Sequence, residues 1–130
     1  AVRIKLGLQT ELHLGNLEAT RDWGHAKDYC EAMWLMLQTD EPGDYVCSTG
    51  VSHSVRDLCF YTFKTLDLKW QDYVKIDPKH LRPEELKDLK GDSSKLRNKV
   101  GWKPKYTFET MLDEMVEYWL EYYKVKKELI

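Results

Sequence analysis

The stretch from Asp44 to Leu66, DYVCSTGVSHSVRDLCFYTFKTL, decides how the fold is read. Tyr45, Val46 and Cys47 form a short apolar run closed by Gly50, the pattern of a strand covered on both faces as in a parallel sheet. Ser54 stands three residues before Asp57, the spacing of a capping box, and Val55, Leu58, Cys59, Thr62, Phe63 and Leu66 then recur at helical intervals. A strand, a loop and a helix in this order mark the chain as α/β, with α+β character where the other strands are short.

Upstream, Leu12 and Leu14 alternate with polar neighbours and Gly15-Asn16 turns the chain, which predicts a strand and a turn. From Ala26 to Gln38, apolar side chains fall on nearly every side of a helix, so that helix is expected to be buried all round. Downstream, Trp70 to Ile76 reads as extended up to Asp77-Pro78, and Pro83 opens a short helical segment through EELKDLK. Ser93 or Ser94 caps another short helix that Gly101 stops. The last helix is the clearest: Phe108, Met111, Leu112, Met115, Val116, Trp119 and Leu120 keep a helical stripe behind Thr107 as N-cap.

A chain of 130 residues is one domain and long enough for a core without metal or disulfide staples. Twenty basic against 22 acidic side chains give a net charge of -2, so no broad cationic field exists to bind nucleic acid. No apolar run approaches the roughly 18 residues that cross a bilayer. The N-terminal residues lack the pattern of a signal peptide. The expectation is a cytoplasmic protein with no membrane or nucleic-acid partner. Cys30, Cys47 and Cys59 are odd in number, lie in apolar segments and form no C-x-x-C pair, and read as small reduced core residues.

Generic catalytic motifs are missing: no G-x-G-x-x-G, G-x-x-x-x-G-K-[ST], H-E-x-x-H or G-x-S-x-G occurs. Tyr-x-x-x-Lys occurs at Tyr122 with Lys126 and at Tyr123 with Lys127, but on a helix end where lysines complement the dipole. His25 precedes a helix and can cap it, and His13, His53 and His80 lack ligand partners at metal spacing. Arg21 is more informative, since it precedes Asp22-Trp23 and the turn residue Gly24, where a guanidinium either pairs with an aspartate or grips an anion. Arg82 beside Pro83, Glu84 and Glu85 poses the same choice.

The block GNLEATRDWGHAKDYCEAMWLMLQ from Gly15 to Gln38 resembles GDP-mannose 4,6-dehydratases almost residue for residue. The likeness continues through EPGDYVCSTGVSHSVRDL and through the DP-x-x-x-RP-x-E, L-x-GD-x-SK and GWKP elements between Trp70 and Val116. The resemblance implies that residues 1–130 are the C-terminal sugar-nucleotide-binding domain of an extended short-chain dehydrogenase, with the strand and helix near 44–67 completing a Rossmann sheet whose other half precedes this chain. It implies an NADP-dependent lyase acting on GDP-mannose, whose catalytic Thr, Glu, Tyr and Lys and main NADP site all lie upstream. The chain alone is then inactive.

What the resemblance carries onto this sequence is the nucleotide grip: Arg21 matches the RDW arginine at the GDP diphosphate, Arg82 the arginine of RP-x-E, and Glu85 its carboxylate, expected at the ribose or base. Expected partners are GDP-mannose or GDP and either the missing Rossmann portion or a second copy, because an unpaired strand and an all-apolar helix invite association. Another nucleotide-sugar epimerase, dehydratase or reductase, and a non-catalytic nucleotide-binding or assembly module, are the alternatives.

Overall fold

A computed structural model of the chain describes residues 1–82 and 86–128. The short helix α1 (Val2–Lys5) leads to β1 (Leu12–Leu14) and β2 (Thr20–Arg21), and α2 covers Ala26–Met36. Then come β3 (His53–Ser54), α3 (Val55–Thr65), the single turn α4 (Trp70–Tyr73) and β4 (Val74–Ile76). After a 3-10 turn at Pro78–His80 the chain closes with β5 (Asp88–Leu89), α5 (Ser94–Val100) and α6 (Phe108–Glu128).

The helix boundaries follow from local chemistry. Ser54 Oγ accepts the Asp57 N–H at 3.0 Å while Asp57 Oδ2 accepts the Ser54 N–H at 2.9 Å, so α3 starts on a complete capping box. Thr107 Oγ1 accepts the Thr110 N–H at 3.2 Å and opens α6. Gly101 ends α5 at φ 70°, a left-handed conformation that costs a glycine nothing. His25 caps α2 through Nδ1, which accepts the Lys27 N–H at 3.0 Å, and its ring stacks on Tyr106 at 3.9 Å. Ser93 occupies the cap position of α5 without capping it; its hydroxyl donates instead to the Ser48 carbonyl at 2.9 Å.

Two small sheets carry the strands. β1 pairs in parallel with β4, Leu12 opposite Val74 and Leu14 opposite Ile76. In the other sheet β2 is central, antiparallel to β3 with Arg21 opposite His53, and parallel to β5 with Arg21 opposite Leu89. The apolar stripes of α3 and α6 pack together: Phe63 and Cys59 face Ile4, Leu17 and Val74, and Leu66 meets Val2 and Val116. A separate core joins Ala32 of α2, Leu96 of α5 and Trp102.

Several expectations are corrected. Residues 44–50 form no strand: residues 91–93 pack against them, but no backbone ladder pairs them with another segment among the described residues, and a strand is defined by pairing. The parallel pairs are β1 with β4 and β2 with β5 instead. Trp70 to Tyr73 is a helical turn rather than extended. The part of EELKDLK that is described contributes β5, since pairing with β2 overrides its helical composition; Pro83 lies outside the described residues.

α2 is not buried all round. Only Asp28 and Ala32 are buried, whereas Trp34 is 61% exposed and Leu37 82% exposed, because α2 packs through one face on α5 and Trp102. Of the cysteines only Cys59 is core; Cys30 is exposed and Cys47 half-buried. No helix is long and apolar enough to cross a membrane among the described residues.

Candidate functional site

Arg21 ends the central strand β2, and its Nη1 donates to the Thr20 carbonyl at 2.6 Å and to the Leu86 carbonyl at 2.9 Å. Carbonyl acceptors fix the orientation of a guanidinium at the strand end. With Asp22, Trp23, Leu89, Lys90 and Gly91 it lines an open cleft of about 450 Å³. The cleft has an aromatic backing. Trp23 stacks on Phe108 at 5.9 Å, and the His53 ring lies parallel to Phe108 at 3.9 Å on the neighbouring strand. The Trp23 ring, supported from behind by Phe108, beside the Arg21 guanidinium suits a ligand with an anionic group and an apolar face.

The Asp22 carboxylate serves the backbone around this cleft. Its Oδ1 accepts the Thr49 N–H at 2.9 Å and the Thr49 hydroxyl at 2.5 Å, and its Oδ2 accepts the Gly50 N–H at 2.9 Å and the Gly91 N–H at 3.2 Å. Partial burial works to raise the Asp22 pKa, but the hydrogen bonds outweigh it and hold the carboxyl below its ordinary range. Behind these loops, Arg97 donates to the Thr49 carbonyl at 2.7 Å and to Ser93 Oγ at 2.8 Å.

Arg82 is exposed just after the 3-10 turn and lines neither this cleft nor the neighbouring one formed by Trp23, His53, Arg97 and Tyr106. Glu85 lies outside the described residues, as does Glu84. Trp23, the aromatic expected beside Arg21, lines the cleft, and Lys90 is a cleft residue that the motif reading did not single out; a lysine in a mixed run of charges carries no signal of its own. The Tyr122 and Lys126 pair stands on the exposed end of α6, with Lys126 Nζ 5.0 Å from the ring centre, and lines neither the Arg21 cleft nor the one beside it. No group of three metal-ligating side chains occurs among the described residues.

The family model for GDP-mannose 4,6 dehydratase matches residues 1–115. The chain belongs to the GDP-mannose 4,6-dehydratase family. It is 51% identical over 127 residues to GDP-mannose 4,6 dehydratase 1 of Arabidopsis thaliana, covering 98% of this chain and 35% of that protein. It is 43% identical to the human GDP-mannose 4,6 dehydratase, over 88% of this chain and 35% of that one. The chain thus spans about a third of the length of the curated relatives it matches.

Solved structures share the fold of this dehydratase-family chain over part of their own length. RMD from Pseudomonas aeruginosa complexed with NADPH superposes with a TM-score of 0.83 at 24% identity, over 93% of this chain and 40% of that one. The dTDP-glucose 4,6-dehydratase of Bacillus anthracis in complex with NAD gives 0.79 at 23% identity, over 92% and 37%. At these identities the likeness concerns the fold.

Proposed function

We propose that this chain is the nucleotide-sugar-binding part of a cytoplasmic GDP-mannose 4,6-dehydratase, a lyase that converts GDP-mannose to GDP-4-keto-6-deoxymannose. The observation that carries the reading is Arg21, presented by carbonyl acceptors at the end of a central strand beside an aromatic wall, in a chain of this family. A guanidinium so placed takes a diphosphate through paired charge-assisted hydrogen bonds. Arg82 adds a second cation from the exposed segment after Pro78–His80, and Glu85 offers a carboxylate to ribose or base donors.

When bound, NADP supplies the hydride acceptor of this reaction. No glycine-rich phosphate loop occurs in the sequence, and the left-handed glycines Gly7, Gly50 and Gly101 do not open a helix among the described residues. The cofactor, like the proton-transferring groups, is assigned to the larger part of the enzyme that the relatives carry. This chain's own residues bind and orient the nucleotide, and alone they are expected to be inactive.

Calorimetric titration with GDP-mannose, GDP, UDP and NADP tests the assignment. The expected result is guanine-selective binding that weakens at least about thirtyfold in Arg21→Ala, the scale of removing one charged hydrogen-bonding partner. Arg82→Ala is expected to weaken it less, in keeping with its exposure. Equal affinity for UDP would favour another nucleotide-sugar enzyme of the same fold, and binding that survives both substitutions would overturn the assignment.

The partner follows from surfaces left open. Met33 and Trp34 of α2 and Leu37 just after it are exposed, residues 44–50 have no ladder among the described residues, and an apolar groove of about 530 Å³ runs between β1, α3 and α6. Such surfaces are covered in a Rossmann enzyme by its N-terminal half, and in this chain alone by a second copy. Light scattering at high protein concentration is expected to give a mass above 15.5 kDa. A clean monomer would count against it.

A further inference from the structure

We propose that Asp22 is the positioning residue of the nucleotide site: its carboxylate fixes the loop geometry that presents Arg21, and it contacts no ligand itself. The proposal rests on the nucleotide reading above for its ligand and on the hydrogen bonds of Asp22 for its argument.

A carboxylate has about four lone-pair sites. In Asp22 two donors meet each oxygen, the Thr49 N–H and hydroxyl on Oδ1 and the Gly50 and Gly91 N–H groups on Oδ2. No acceptor capacity remains for a ribose hydroxyl or a guanine N–H. The donors come from separate parts of the chain, at sequence separations of 27, 28 and 69 residues. Asp22 therefore gathers the end of β2, the loop leading to β3 and the residues after β5 onto one point, next in the chain to Arg21. Leu89, Lys90 and Gly91, the wall of the cleft opposite Arg21, are set by that point.

Electrostatics would otherwise argue against an aspartate here. A negative charge adjoining the cation that grips a diphosphate repels the ligand, and its effect grows as the site dehydrates. Four donors directed at the carboxylate disperse that charge into fixed dipoles, so the anion is tolerated beside Arg21 while its bonding order is kept. Asparagine reproduces this pattern only in part. An amide NH₂ at the Oδ2 position would oppose both the Gly50 and the Gly91 N–H; at the Oδ1 position it would oppose the Thr49 N–H, while the Thr49 hydroxyl can turn to accept from it and donate to the Val51 carbonyl at 3.2 Å.

The test is a double-mutant cycle on GDP affinity with the full chain: unsubstituted, Asp22→Asn, Arg21→Ala and the pair, each checked for folding by thermal unfolding. Asp22→Asn is expected to weaken GDP about tenfold in the presence of Arg21 and to add no loss once Arg21 is alanine, the coupling that acting through Arg21 requires. An equal loss in both backgrounds, or none in either, overturns the proposal. Should Asp22→Asn fail to fold, Thr49→Val removes a single donor, and a several-fold loss that again depends on Arg21 is expected.

If the unsubstituted chain binds no GDP, the nucleotide assignment fails, and the positioning claim is judged without ligand. The Arg21 Nε–Hε resonance is then expected to move in Asp22→Asn together with the Thr49, Gly50 and Gly91 amides. An unmoved Arg21 resonance would refute it.

Discussion

Replacing Trp102 by alanine is expected to remove most of the stability of this chain. Trp102 is 2% exposed and fills the core between Ala32 of α2 and Leu96 of α5, which are themselves fully buried. Deleting a buried tryptophan side chain costs about 3–5 kcal/mol through lost burial and the cavity left behind. Its Nε1 also donates to the Asp28 carbonyl at 3.0 Å, and stranding a buried carbonyl adds about 1–3 kcal/mol. The total approaches the lower half of the roughly 5–15 kcal/mol available to an ordinary domain. A fall in Tm on the order of 15–25 °C is expected by calorimetry. Trp102→Phe keeps a ring in the core and loses the hydrogen bond, so its fall should be less than half as large. Comparable losses in the two variants would mean that the bond, rather than the packing, holds α2 to α5.

The second large effect is expected at Gly91. A Cβ there would lie 2.4 Å from the Ser48 Cβ and 2.5 Å from its Oγ, so the two segments approach more closely than any side chain at 91 permits. Ser48 is buried and Gly91 donates to Asp22, which leaves neither segment free to yield. Overpacking costs about 1–3 kcal/mol, and stretching a hydrogen bond to a charged acceptor adds to it. Gly91→Ala is therefore expected to cost about 3 kcal/mol in denaturant unfolding. Ser48→Gly in the same chain should recover much of that loss, because it removes the atoms that collide. A Gly91→Ala chain as stable as the original would show that the 48–50 loop moves aside at little cost.

Local chemistry was legible in the sequence where a signal and its partner sit within a few residues. The Ser54 and Asp57 box, the Thr107 cap and the Gly101 stop all stand where spacing places them. What failed depended on distant segments. DYVCSTG carries the apolar run of a covered strand yet has no ladder, and Asp88-Leu89 forms β5 only because β2 lies beside it. The site divides in the same way. Arg21 stands out beside an aromatic and a turn, whereas the work of Asp22 is invisible without the fold, since its donors come from 27 to 69 residues away. The apolar positions of α2 were equally misleading, because hydrophobicity on every face states a demand for cover and does not say that the cover is present.

The parallel pairing of β2 with β5 bears on synthesis as well as on shape. Thr20 bonds to Asp88 across 68 residues of chain. On a ribosome adding roughly 5–20 residues per second, the strand bearing Arg21 emerges several seconds before its partner exists. During that interval α2 and α3 can form, since their caps lie within their own segments, but the end of β2 has an unmatched edge. The cleft is thus one of the late products of translation. Slowing elongation between the codons for α3 and β5 should lengthen the exposure of that edge and raise the share of nascent chains captured by chaperones.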